Sequence, residues 1–293
     1  MGEVVQIQID DGVALVTLDR PERLNAWTAQ MEHEYFGLLE RCAHDEQVRA
    51  IVVTGAGRGF CAGADMQQLQ ALGQATTGNG HAGQADAGSA GEAGTGDGGA
   101  SAGETPQAYE RRPQSFPLTI PKPIIAAING ACAGIGLVQA LMCDLRFAAE
   151  GAKLTTAFAR RGLIAEHGIS WMLPRLVGPS RALDLLLSGR VVFAEEAQEL
   201  GMVNRVLAPD RLLETTLEYA RELATHCSPA SMATMKRQVY ADLERTLPDA
   251  LATADELMFA SFTAPDFVEG VASFVERREP RFAALGDSYS AVA

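Results

Sequence analysis

The sequence predicts a mixed α/β core over residues 1–200 and a helical region over residues 201–293. Three observations carry this. Residues 51–66, IVVTGAGRGFCAGADM, run from a β-branched apolar segment through Gly55, Gly57 and Gly59 to a helix start at Asp65. Residues 123–145, PIIAAINGACAGIGLVQALMCDL, repeat that order, with an Asn129-Gly130 turn and Gly134-Ile135-Gly136 opening an apolar helix. From Glu166 onward, helical segments dominate.

Taken in order, residues 4–9 and 13–18 alternate apolar and polar around Asp10-Asp11-Gly12, which is a β-hairpin pattern. The loop from Arg20 to Trp27 leads into a helix from about Thr28 to His44, with Met31, Tyr35, Leu38 and Leu39 as its apolar stripe. Asp65 reads as the N-cap of a helix reaching about Leu72. Residues 73–107 are almost wholly Gly, Ala, Ser, Thr, Gln and Asp. Such a segment has too little apolar surface to offset the entropy of ordering, so it reads as a flexible insertion. Tyr109 to Leu118 has room for a short helix, limited by Pro113 and Pro117. Asp144 to Ala149 reads as a strand, with Lys153 to Thr156 pairing beside it. Later helices are expected over 182–188, 194–200, 211–226, 231–243 and 250–262, and a last one starts at Pro265-Asp266.

A net charge of −13 disfavours nucleic acid as a partner, and any polyanionic ligand needs a local basic patch. No apolar run approaches the roughly 20 residues of a membrane span, and the N-terminus lacks a secretory pattern. The five cysteines are an odd number without a CxxC pair, which points to reduced thiols in a cytoplasm rather than a disulfide frame or zinc site. The five histidines show no HExxH spacing, so no metal is expected. The series Gly55-x-Gly57-x-Gly59 is neither GxGxxG nor a Walker loop. What the two glycine junctions do offer is unpartnered backbone N–H groups at strand-to-helix turns, a pair of donors able to hold an oxyanion.

Several pieces, in this order, resemble the crotonase (enoyl-CoA hydratase/isomerase) superfamily: Asp19-Arg20-Pro21 with Leu24-Asn25-Ala26, Phe60 to Asp65, Lys122-Pro123 with Asn129-Gly130, Cys143-Asp144, and Leu173-Pro174-Arg175-Leu176-Val177-Gly178. The resemblance covers nearly the whole chain outside the insertion. It implies an α/β fold, a crotonase-like spiral of ββα turns with a helical C-terminal trimerisation region. It implies an acyl-CoA thioester as substrate, coenzyme A arriving as part of it with no separate cofactor, and a homotrimer or dimer of trimers. The oxyanion donors fall on the N–H groups of Ala64 and Ile135. Arg23, Leu24, Ala26, Ala62 and Ala64 fall in the CoA and substrate site, and Phe274 and Arg277 fall where an adjacent subunit contributes. Read without the resemblance, Phe274 is a core residue, and Arg23 and Arg277 are solvated charges.

The remaining catalytic candidate is Glu166, in RGLIAEHGISW, between apolar residues and at the start of a helix running to Leu176. Local sequence alone makes it a helix cap. In the family, isomerases with one acid in the equivalent Gly-Leu-x-x-(Asp/Glu) segment use it as the sole proton shuttle. Hydratases carry two glutamates, and at those positions this chain has Val138 and Phe158, or Arg160 in an alternative register. Adding water needs two proton-handling groups, whereas moving a double bond needs one. The expected activity is therefore conversion of 3-enoyl-CoA to 2-enoyl-CoA. The rivals are hydration of 2-enoyl-CoA and an inactive acyl-CoA-binding module. Asp144 reads as a structural acid, and His167 either tunes Glu166 or faces solvent.

Overall fold

The computed structural model describes residues 2–67, 70 and 114–286. The predicted insertion, 73–107, and most of the helix expected after Asp65 lie outside these residues. The chain divides into two units, residues 1–64 with 113–293 and residues 65–112. In the second, Asp65 Oδ1 accepts the N–H of Gln67 at 3.0 Å, the contact expected of an N-cap.

The first unit opens on a hairpin, β1 (Val5–Asp10) and β2 (Val13–Leu18). The two-residue loop, Asp11 at φ 47° and Gly12 at φ 78°, has the left-handed backbone of a tight hairpin turn. Helix α1 (Ala29–His44) follows, capped by Thr28, whose side chain accepts the N–H of Met31. Strands β3 (Ala50–Gly55) and β4 (Gly59–Cys61) come next, then β5 (Ile124–Ile128), β6 (Ala131–Ala133) and helix α2 (Ile135–Met142). Strands β7 (Leu145–Ala149) and β8 (Lys153–Thr155) complete the series.

These strands alternate between two sheets. The larger has the order β1-β2-β3-β5-β7-β10, where β10 is Arg205–Leu207. The smaller is β4-β6-β8-β9, where β9 is Val192–Phe193. Each turn of chain thus lays one strand in the larger sheet and the next in the smaller, parallel to the strand of the preceding turn. This is the ββα spiral that the family resemblance implies. Every residue of β3 and β5 is buried, as parallel strands covered on both faces require. Lys153–Thr155 corrects one expectation: it pairs with β6 and β9 in the smaller sheet, not with β7. The short strands β6, β9 and β10 have no periodicity of their own long enough to mark them.

Helices α3 (Ile169–Val177), α4 (Pro179–Ser188) and α5 (Ala194–Glu199) follow β8. Helix α6 (Leu212–His226) packs across β2, β3, β5 and β7 and closes the face of the larger sheet. Helices α7 (Pro229–Asp242), α8 (Leu247–Ser261) and α9 (Pro265–Glu276) are the last helices among the described residues. α7 is pinned to the spiral by Lys236, whose Nζ donates to the carbonyls of Pro117 and Lys122 and to Asp144 Oδ2 at 2.8 Å. Tyr240 donates to the other Asp144 oxygen at 3.0 Å, and Ile124 N–H donates to Oδ2. Asp144 is therefore the satisfied structural acid the sequence suggests. No helix among the described residues is long and apolar enough to cross a membrane.

Candidate functional site

The two glycine junctions meet where the smaller sheet begins. Gly63, at φ 105°, and Gly134, at φ 52° and ψ −123°, hold backbone that a side chain would strain. A Cβ at Gly134 would lie 3.9 Å from Gly63 Cα, so the two turns are in contact. Gly136 matters for space: a Cβ there would lie 2.7 Å from Cys61 Cβ, so only glycine lets α2 seat against β4. The residues after Gly63 and Gly134 are Ala64 and Ile135, each next to the point where the two turns touch. Ile135 opens α2, where N–H groups lack helical partners. No hydrogen bond from the N–H of Ala64 or Ile135 to another described residue is present.

The loop from Pro21 to Trp27 runs beside Gly59 to Ala64. Ala62 N–H donates to Leu24 O at 3.0 Å, Trp27 N–H donates to Gly63 O at 2.8 Å, and Trp27 bridges Ala64 in parallel register. Asn25 fixes this loop from inside. It is fully buried at φ 55°, its Oδ1 accepts Arg20 N–H at 2.8 Å, and its Nδ2 donates to Ala56 O and Gly59 O. Leu24, Ala26, Ala62 and Ala64 therefore form one half-buried strip with Arg23 exposed at its start, on the last residue of a 3-10 turn. Asn129 ties the second junction to the same region, donating through Nδ2 to Gly55 O and Gly57 O. In the sequence Asn25 and Asn129 are only motif letters; in the fold the buried amide of Asn25 and the half-buried amide of Asn129 lock the loop geometry.

Glu166 precedes α3 instead of starting it. It lies in a turn where His167 has φ 58° and Gly168 φ 80°, and Gly168 is the helix N-cap. Its carbonyl accepts the N–H of Ile169 at 3.1 Å. The expected apolar enclosure is absent in the single chain. The Glu166 side chain is 33% exposed, and His167 Nε2 lies 3.7 Å from its Oε2. Beneath the turn, a Cβ at Gly168 would lie 3.3 Å from the terminal methyl of Met142, at the end of α2. Val138 and Phe158 are both buried and apolar. Phe158 serves as core, its carbonyl accepting the N–H groups of Arg161 and Leu163.

Phe274 and Arg277 lie at the end of α9. Phe274 is 85% exposed, which overturns the reading of it as core. Arg277 is the left-handed C-cap, at φ 55°. Among the described residues, no hydrogen bond, ion pair or ring contact links either one to the strip from Arg23 to Ala64.

Burial dominates the titration of the core. It pushes the Cys61 and Cys143 thiols up to about 12 and Cys42 up to about 11. It lowers Lys122 to about 8, although the Lys122 ammonium donates to Cys42 O at 2.6 Å and Asp45 O at 2.7 Å and so caps the end of α1. The five cysteines are free thiols, and no group of three or more potential metal ligands occurs among the described residues.

Comparison with known proteins agrees with this architecture. The model of the enoyl-CoA hydratase/isomerase family matches residues 8–86 and 99–284. The 1,2-epoxyphenylacetyl-CoA isomerase of Escherichia coli (strain K12) is 33% identical over 282 residues, covering 96% of this chain and 99% of that one. A probable enoyl-CoA hydratase of Rhodobacter capsulatus is 35% identical over 281 residues, covering 95% of this chain and 97% of that one. Among solved structures, a probable enoyl-CoA hydratase/isomerase from Mycobacterium abscessus superposes with TM-score 0.78 at 30% identity, covering 96% of this chain and 99% of the other. An enoyl-CoA hydratase from Mycobacterium marinum is 44% identical with TM-score 0.64, covering 83% of this chain and all of the other. The paired glycine junctions, the two-sheet spiral and these matches together place the chain in the enoyl-CoA hydratase/isomerase family, within the crotonase superfamily of enzymes.

Proposed function

We propose that the enzyme moves a double bond in an acyl-CoA thioester, converting 3-enoyl-CoA to 2-enoyl-CoA with Glu166 as the single acid/base. One observation carries this reading: the positions where a hydratase would hold its two carboxylates are Val138 and Phe158, both apolar and buried, or Arg160 in the alternative register, and none is an acid, which leaves Glu166 as the acid of the segment. The thioester oxygen sits between the N–H groups of Ala64 and Ile135. The Glu166 carboxylate takes a proton from C2, and the C–H electrons form an enolate whose charge rests on that oxygen. The electrons then return to form the C2–C3 double bond, while the C3–C4 pair takes the proton back at C4. Atoms and charge balance with no cofactor beyond the coenzyme A of the substrate. Each N–H donor contributes on the order of 3 kcal/mol to lowering the barrier.

The strip of Leu24, Ala26, Ala62 and Ala64 suits the pantetheine arm, and the exposed Arg23 suits a phosphate. Phe274 and Arg277 are read as reaching the CoA of a neighbouring subunit in a homotrimer or dimer of trimers. The exposed apolar side chains of α7–α9 support that association. The five free thiols support a reducing compartment such as the cytoplasm.

The test follows the conjugated thioester chromophore with matched 3-enoyl-CoA and 2-enoyl-CoA. Gain of conjugation from the 3-enoyl ester with the 2-enoyl ester untouched supports isomerisation. Loss of conjugation from the 2-enoyl ester supports hydration, the reading favoured by the Rhodobacter capsulatus relative's description as a probable hydratase. Glu166→Gln is expected to lower turnover by about 10²–10⁴-fold while CoA-ester binding persists. Retained turnover in that variant would remove Glu166 from its role.

A further inference from the structure

Helix α2 reads IGLVQALM, and its one polar side chain, Gln139, is 1% exposed. Gln139 Nε2 donates to Gln114 Oε1, and Gln114 is itself 6% exposed. Gln114 Nε2 donates to Glu32 Oε2 at 2.6 Å, and the same oxygen accepts the indole N–H of Trp27 at 3.2 Å. Trp27 in turn pairs through its backbone with Gly63 and Ala64. A continuous hydrogen-bonded chain therefore joins the turn carrying Ala64 to the helix that begins at Ile135. Gln139 stands four residues after Ile135, on the same side of that helix.

This arrangement is costly for packing alone. Gln139 Oε1 is buried and has no hydrogen-bond partner among the described residues. An orphaned buried acceptor costs about 1–3 kcal/mol, which a leucine at 139 would avoid. A buried polar chain that carries an unpartnered acceptor, and that runs from the Trp27–Ala64 bridge to the helix opened by Ile135, calls for a role beyond stability.

We propose that Glu32, Gln114 and Gln139 form a positioning relay, with Trp27 as its far end, that fixes the spacing between the N–H groups of Ala64 and Ile135. None of the three touches substrate. The proposal rests on the reading above, in which those two N–H groups hold the thioester oxygen.

The test compares the full-length enzyme with Gln139→Leu, Gln114→Leu, the double variant and Trp27→Phe, which keeps an aromatic ring against Tyr35 and Phe36 but removes the indole N–H together with one ring of the indole. Three readouts are taken: the split between kcat and KM with 3-enoyl-CoA, the absorbance of a bound 2,4-dienoyl-CoA, and the thermal midpoint. Two donors pulling on the thioester oxygen move the dienoyl absorbance to longer wavelength. Expected results are a red shift in the wild type, reduced in each variant, and kcat down by about tenfold, within the range that misplacement costs. KM stays within about twofold, and the double variant is no worse than either single one, as members of one unit behave. The midpoint of Gln139→Leu stays within about 4 °C. Variants with wild-type kcat and red shift, or with losses that multiply, overturn the relay. A lower midpoint with unchanged kcat makes these residues structural only and also overturns it. A wild-type complex without a red shift overturns the two-donor reading, and the relay with it.

Discussion

Strands β3 and β5 bury every one of their residues, whereas α8, fifteen residues long, buries none. The contrast runs through both regions. In the spiral, apolar side chains from two sheets, α1, α2 and α6 close on one another in a single core. In α8 and α9, Leu247, Phe259, Val268, Val271, Phe274 and Val275 are each at least half exposed. A monomer rarely leaves so much apolar surface uncovered. The spiral closes on its own core, while the last helices present a face that stays exposed among the described residues. α7 lies between the two, held to the spiral by Lys236, Tyr240 and Asp144.

High pH is expected to break the core first. The thiols of Cys42, Cys61, Cys132 and Cys143 are all raised by burial from an ordinary value of 9.0. A group raised in the folded state keeps its contribution below the unfolded value and loses it as pH climbs toward the folded one. Lys122, lowered from 10.5 to about 8, acts oppositely and relieves a penalty over that interval. Tyr35 and Tyr240, raised by burial from 10.0, and Cys227, raised from 9.0, act in the same sense as the thiols, so the raised groups outweigh the lysine and stability should fall by on the order of a few kcal/mol per pH unit near pH 10. Urea midpoints between pH 8 and 11 measure this, and a flat profile would contradict the dry core.

Gly136→Ala sets a methyl against Cys61 and is expected to cost on the order of 3 kcal/mol in urea unfolding. A loss under about 1 kcal/mol would mean α2 can slide away from β4. Lys236→Met leaves the Asp144 carboxylate, 18% exposed, without its cation; a loss of about 2 kcal/mol is expected, smaller than for a fully buried pair. An unchanged midpoint would show that α7 is held by packing alone. The smallest effect on single-chain stability, within about 0.5 kcal/mol, is expected for Phe274→Asp. The same variant should shift the sedimenting species toward monomer. Unchanged association would detach Phe274 from the contact, and a large loss of stability in dilute protein would put it back in a core.

Local pattern made much of the molecule legible. The hairpin at Asp11-Gly12, α1, β3, β5, α2 and the presence of the C-terminal helices follow from periodicity and turn chemistry that neighbouring residues impose, although α4, α7 and α8 start two or three residues earlier than expected. The two glycine junctions were legible for the same reason, since a strand, a glycine and a helix start are all local, whereas the candidate donors at Ala64 and Ile135 follow from the family resemblance. Gln139 gave a weak signal, as the single polar letter in an apolar octet. Gln114 and Glu32 gave none, because a hydrogen bond across 82 residues leaves no local mark.

By itself, then, the sequence determined where strands and helices form and which face of each is apolar, because both are written in spacings of a few residues. Only the tertiary structure decided what covers each face. It sent Lys153–Thr155 to the smaller sheet, stood Glu166 in a left-handed turn a third open to solvent, and left Phe274 exposed. An amphipathic stripe demands a partner surface without naming it, and long-range packing makes that choice.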